Sequence, residues 1–75
     1  MTIQILDLKN ERCPMALLLA KRAACQLSVH QRLDIHLTDT ASLQDITRYL
    51  TQHHYSVSME CESESVMRLR VIREE

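Results

Sequence analysis

Not one of the 75 residues is glycine, where average usage of about 7% would supply about five. The absence constrains the backbone before any pattern is read. Left-handed turns must fall on Asn, Asp, His or Ser, at a steric cost that glycine avoids. Glycine-rich phosphate loops and the dinucleotide fingerprint are excluded outright. Phe and Trp are also missing, and only Tyr49 and Tyr55 are aromatic. No stacking platform for bases is available. Net charge is −1, so no basic field drives binding to nucleic acid.

The remaining pattern is period-2 and period-3.6 segments in alternation. Residues 3–8 (IQILDL) place Leu6 and Leu8 on one face of a strand and Asp7 on the other. Residues 14–28 are rich in Ala, Leu, Lys and Arg and begin with Pro14, which suits the first position of a helix. Their buried stripe is Ala16, Ala20, Ala23, Ala24 and Leu27. Residues 32–38 alternate, with Leu33, Ile35 and Leu37 inward and Arg32, Asp34 and His36 outward. A second helix is expected over 41–54, its stripe being Leu43, Ile46, Tyr49 and Leu50. Residues 55–61 turn Tyr55, Val57, Met59 and Cys61 inward. Met67, Leu69 and Val71 repeat the pattern to about Arg73.

The order β-α-β-α-β-β, with one polar face per strand, implies a sheet covered on one side. The expected architecture is a two-layer α/β sandwich, two helices on one face of a four-stranded mixed sheet. Residues 1–75 are expected to form a single domain. The first two strands then run parallel, and both helices start at the same end of the sheet. That brings Asn10–Pro14 close to Thr38–Ser42, where open α/β sheets carry their sites. A chain this short has a thin core, so chemistry belongs on its surface or at a partner interface.

Cys13 is the sharpest chemical feature. Preceding Pro14, it is expected at the N-cap of the first helix, where backbone N–H groups and the helix dipole favour the thiolate. Arg12 acts in the same direction and Glu11 against it. The alternative is a capping or buried small residue. Cys61 is expected in the core. Cys25 shares a stripe with Leu18, either an exposed strip for a partner or a flank packed on the second helix. No CxxC pair is present. The four histidines, His30, His36, His53 and His54, have no zinc-type spacing, and no metal is expected. Asp39, with Thr40 and Ser42, suits the N-cap of the second helix, and on that edge it would also shape the Cys13 site. The cationic side chains are expected to be scattered, apart from a small basic area of Arg12, Lys21 and Arg22. An odd cysteine count and the lack of a signal sequence or an apolar run of membrane length suggest a reducing cytoplasm.

The segment LDLKNERCPMALLLAKRA resembles the TusA/SirA-like sulfur-carrier family, whose signature is Leu-Asp-x-x-Gly-Leu-x-Cys-Pro-x-Pro. Leu6, Asp7, Arg12, Cys13 and Pro14 fit it. The stretch LTDTASLQDI resembles the family's strand-Asp-helix segment, with Asp39 and the Asp45–Ile46 pair in place. Four positions depart: Asn10–Glu11 replace Gly-Leu, Ala16 replaces the second proline, and His54 stands where the family has glycine after the second helix. Asn10 can still take a left-handed turn, so that change is tolerable. Ala16 removes φ rigidity from the first turn.

The resemblance implies the same β-α-β-α-β-β sandwich and a cytoplasmic sulfur carrier without cofactor. Cys13 would take up sulfane sulfur as a persulfide from a cysteine desulfurase or another donor and pass it to a protein acceptor. Destinations in the family include tRNA thiolation, sulfur oxidation and cofactor assembly. Arg12 would assist electrostatically, Pro14 would set the helix start and Asp39 would shape the adjacent loop. Partners would be proteins, with no direct nucleic-acid or membrane contact, and the chain would be a monomer. An alternative, motivated by Ala16 and Glu11, is a regulatory or interaction module that kept the fold and lost sulfur transfer.

Overall fold

The computed structural model describes residues 3–12 and 14–74. Six elements follow in the expected order: β1 (Ile3–Asp7), α1 (Met15–Cys25), β2 (Arg32–Leu37), α2 (Thr40–Gln52), β3 (Tyr55–Cys61) and β4 (Met67–Arg73). The strands form one mixed sheet in the order β1-β2-β4-β3, with β1 parallel to β2 and the other two pairings antiparallel. This is the two-layer α/β sandwich that the alternation implies.

The core lies between the helices and one face of the sheet. Leu33, Ile35 and Leu37 of β2 and Leu69 and Val71 of β4 are fully buried, as the period-2 reading requires. Helix α1 meets them through Ala16, Ala20 and Ala24. These methyl groups recur every fourth residue and let the helix approach the sheet closely. Helix α2 contributes Ile46 and Leu50, with Leu43 and Tyr49 partly buried beside them. Tyr55 ties the layers together, its hydroxyl donating to the Ala24 carbonyl at 3.0 Å.

The glycine-free turns resolve through histidine. His30 (φ 70°) and His54 (φ 68°) are the left-handed residues among those described. His54 stands where the family has glycine, and it takes the conformation that glycine would supply. Asn10, which can take a left-handed turn, does not do so here. Instead the Glu11 amide donates to the Leu8 carbonyl at 3.1 Å, closing a tight turn without a positive φ.

Several expectations need correction. Helix α1 is shorter than 14–28. Its chain tightens after Cys25, where the Gln26 amide donates to the Ala23 carbonyl and the Leu27 amide to that of Ala24. Cys61 is exposed, not core, and Met59 is 55% exposed. Both stand on the helix-facing side of β3, an edge strand whose Tyr55 and Val57 alone pack against the core. Alternation fixes the side a residue faces but not how far a helix extends over it.

The open face of the sheet is more ordered than a scatter of charges. Register sets Asp34 opposite Arg70, and His36 opposite Arg68. Arg32 grips Asp34 through Nε (2.8 Å) and Nη2 (3.0 Å), and Asp34 is only 6% exposed. Arg68 and Arg70 both donate to Glu60, and His36 shares Glu62 with Arg68. Arg32, Arg68 and Arg70 therefore form a cluster, since side chains of the same parity on paired strands meet.

Candidate functional site

Where β1 ends, its chain turns toward the start of α1. Asp7 closes this corner: its Oδ1 accepts the Lys9 amide at 3.0 Å, and its Oδ2 lies 3.6 Å from Lys9 Nζ. The Lys9 backbone amide, followed by the Lys9 charge, holds the Asp7 carboxyl below the usual carboxylate range. From the neighbouring strand, Thr38 donates its hydroxyl to the Lys9 carbonyl at 2.8 Å. The parallel pairing of β1 and β2 continues to this point, with the Leu8 amide on the His36 carbonyl at 2.9 Å. Topology thus brings the two expected segments to one end of the sheet.

Between them lies an open depression of about 410 Å³, lined by Lys9, Asn10, Glu11, Arg12, Thr38 and Asp39. Two cationic and two acidic residues are among those that line it, three of them from the loop after β1. Arg12 is exposed and Glu11 half-buried. Asp39 has extended backbone (φ −92°, ψ 116°) and caps α2, accepting the Ala41 amide at 3.3 Å and the Ser42 hydroxyl at 2.8 Å. Ser42 is fully buried, so this carboxylate satisfies a hydroxyl that water does not reach.

Cys13 lies outside the described residues. Its neighbours are described. Pro14 is the boundary residue of α1, already in helical conformation (φ −89°, ψ −7°), and not its first helical residue. The Ala16 amide donates to the Arg12 carbonyl at 2.9 Å, so the helical bonding pattern reaches back to Arg12. That amide is used internally, and the set of open amides at this terminus is smaller than the sequence suggested.

The small basic area of Arg12, Lys21 and Arg22 does not form. Arg12 lines the depression, Lys21 rests over the Tyr49 ring (4.4 Å to its centroid) and Arg22 belongs to the last turn of α1. Leu18 is 54% exposed and Cys25 is exposed, so their stripe faces outward and is not packed on α2. Met15, half-exposed, continues it toward the depression. Among the described residues no three His, Cys, Asp or Glu side chains gather as a metal-ligand set. His53 serves α2 instead, its Nδ1 2.8 Å from the Tyr49 carbonyl and its ring stacked on that of Tyr49. Among the described residues no helix is long and apolar enough to cross a membrane.

The sequence reading placed Thr38 at this edge but gave neither Thr38 nor Lys9 a role. A threonine at the end of an alternating strand, level with the first loop residues of a parallel neighbour, is the signal that could have found them.

A small sandwich that opens the loop after its first strand and the start of its second helix onto one shallow depression defines a surface site, not an enclosed cleft. The chain belongs to the sulfurtransferase TusA family, which it matches over residues 4–73. Membership supports a sulfur-carrier role, and proteins of this family relay sulfur through contacts with other proteins. Among solved structures, a SirA-like protein from Desulfitobacterium hafniense superposes with a TM-score of 0.82 at 17% identity, over 99% of this chain and 100% of that one. A protein from Helicobacter pylori, solved in solution, gives 0.73 at 7% identity, over 96% and 99%. At these identities the likeness is one of fold. No curated protein sequence matches the chain.

Proposed function

We propose that Cys13 is the carrier atom site of a sulfur relay. Its thiolate attacks the terminal sulfur of a donor persulfide, forming a new S–S bond as the donor's S–S bond breaks. The donor leaves as its own thiolate, so no external oxidant or reductant enters. An acceptor nucleophile then attacks the sulfur held on Cys13 and releases the Cys13 thiolate. The donor is a cysteine desulfurase or another sulfurtransferase, and the acceptor is a protein. A reducing cytoplasm keeps the thiol ready between transfers.

The observation that carries this reading is family membership over residues 4–73, with Cys-Pro retained at the strand-to-helix junction. The geometry suits it. An open depression beside Arg12 gives two successive partners access, as a relay needs. Arg12 supplies positive charge for thiolate and persulfide. Pro14 starts the helix, and Asp39 holds the α2 side of the depression through its cap. Recognition is by protein surfaces, at this edge and along Met15, Leu18 and Cys25.

The test is intact mass of reduced protein after incubation with a cysteine desulfurase and cysteine, before and after thiol reductant. Wild type and Cys13→Ser run together. A reductant-labile gain of one sulfur, confined to wild type, is expected. No gain with several donors favours an interaction module that kept the fold, the reading motivated by Ala16 and Glu11. A gain that survives Cys13→Ser moves the site to Cys25 or Cys61.

A further inference from the structure

Four charged residues line the depression: Lys9, Glu11, Arg12 and Asp39. Three of them have their counterparts. Lys9 lies 3.6 Å from the Asp7 carboxylate. Asp39 accepts the Ala41 amide and the Ser42 hydroxyl. Arg12, under the relay proposed above, is matched to the negative charge of thiolate and persulfide on Cys13. Glu11 remains. Its backbone is fixed by the bond from its amide to the Leu8 carbonyl, and the residue is half-buried. Among the described residues its carboxylate makes no ion pair or hydrogen bond.

A carboxylate open to water needs no counter-charge. Covering it is different. A partner that closes on the depression strips water from Glu11, and the loss is large unless a cation takes the water's place. The family signature has leucine here, which an apolar partner surface accepts. Glutamate rejects apolar and acidic loops and attracts basic ones, so it discriminates in both directions.

We propose that Glu11 selects the sulfur donor: the donor loop that covers the depression carries a lysine or arginine beside its reacting cysteine, and that cation pairs with Glu11. This rests on the relay reading and names its partner by charge. The chemistry favours the donor over the acceptor. When Cys13 takes the sulfur, the thiolate that leaves is the donor's, and it forms at a site already holding the Glu11 charge. A cation on the donor loop offsets both and lowers the pKa of the leaving thiol, which speeds its departure. When Cys13 gives the sulfur up, the leaving thiolate is its own, and Arg12 serves it.

Three peptides of one length test this, each with a single cysteine held as its mixed disulfide with thionitrobenzoate and flanked by lysine, alanine or glutamate. Full-length protein with Cys25→Ser and Cys61→Ser keeps Cys13 as its one thiol. The Cys13 thiolate attacks the peptide sulfur, a protein–peptide disulfide forms, and the coloured thionitrobenzoate thiolate leaves and reports the rate. At low salt the lysine peptide should react about 2–5-fold faster than the alanine peptide, the size of one partly exposed ion pair, and the glutamate peptide more slowly. The ratio should fall toward one in Glu11→Gln and with added salt, and reverse in Glu11→Lys. Removing Glu11 also raises the thiolate fraction of Cys13, but that moves all three rates alike and leaves their ratio. A ratio of one in wild type overturns the inference. So does a lysine preference unchanged in folded Glu11→Gln. Failure of Cys13 to react with any peptide overturns it too, because a site closed to a short peptide admits no loop. Should a variant not fold, the wild-type ratio and its salt dependence decide alone. Sulfur gain from the desulfurase judges the relay separately. Gain without charge selection removes the role of Glu11, and selection without gain overturns the relay and leaves Glu11 as a selector of basic partners.

Discussion

The Thr38 hydroxyl donates to the Lys9 carbonyl at 2.8 Å, across 29 residues of sequence. It fastens the chain leaving β1 to the chain entering α2, and the open depression lies between them. Thr38→Val should keep the fold and lose about 1 kcal/mol. In a domain of this size that lowers the melting temperature by about 4–8 °C. Under the proposed function, the same variant should also slow sulfur loading, measured by mass against time. A melting temperature that does not move would show the bond contributes nothing.

Asp39 satisfies both an α2 amide and the buried Ser42 hydroxyl. Asp39→Ala removes the cap and leaves that hydroxyl without its acceptor, a loss of about 2–4 kcal/mol. Asp39→Asn still caps and should lose less. Urea unfolding of the three proteins gives the order. Equal losses for Ala and Asn would mean that the charge, and not the cap, stabilises the site.

The open face makes stability pH-dependent with a definite sign. Asp34 is held below the usual carboxylate range chiefly by its hydrogen bond from Arg32. Glu60 is lowered first by its bond from Arg68 and then by the charge of Arg70. A carboxyl with a lower pKa in the folded state stabilises the fold above its unfolded pKa, near 4, and that contribution is lost as pH falls through the folded value. The urea midpoint should therefore drop below about pH 4. Asp34→Asn should be less stable at pH 7 and show a shallower acid limb. A limb as steep as that of wild type would remove Asp34 from the account.

His30 and His54 carry the left-handed turns that a glycine-free chain must place somewhere. A side chain costs about 1–2 kcal/mol in that conformation, and glycine gives back about 0.4–1 in the unfolded state. His30→Gly should thus be neutral to stabilising by about 1 kcal/mol, whereas His30→Val should destabilise. Chemical denaturation distinguishes them, and a clear loss on His30→Gly would show that the imidazole makes contacts worth more than its strain.

Alternation and helical spacing were local signals, and they sufficed for six elements and most of the core. Leu33, Ile35 and Leu37 face inward because side chains of one parity share a face, whatever lies above them. The Asp39 cap was legible for the same reason: Asp39, Ala41 and Ser42 are near neighbours in the chain. The missing glycines also announced that Asn, Asp, His or Ser would turn left, though not which one. His30 and His54 do so, and Asn10 is spared because its turn closes through Glu11 and Leu8.

Only tertiary structure decided what depends on register and coverage. Cys61 has the parity of a core residue but stands beyond the packed part of an edge strand. Arg32, Arg68 and Arg70 are up to 38 residues apart in the chain, and strand pairing makes them one cluster around Asp34 and Glu60. Thr38 finds Lys9 because β1 and β2 run parallel and end level with each other. Local sequence fixes the direction of each side chain, while distance between chain-remote groups is set by how strands and helices pack. The sequence therefore singled out Cys13, Arg12 and Pro14 through one motif and Asp39 through its cap, and element order set the two segments side by side, while the fold supplied the depression between them.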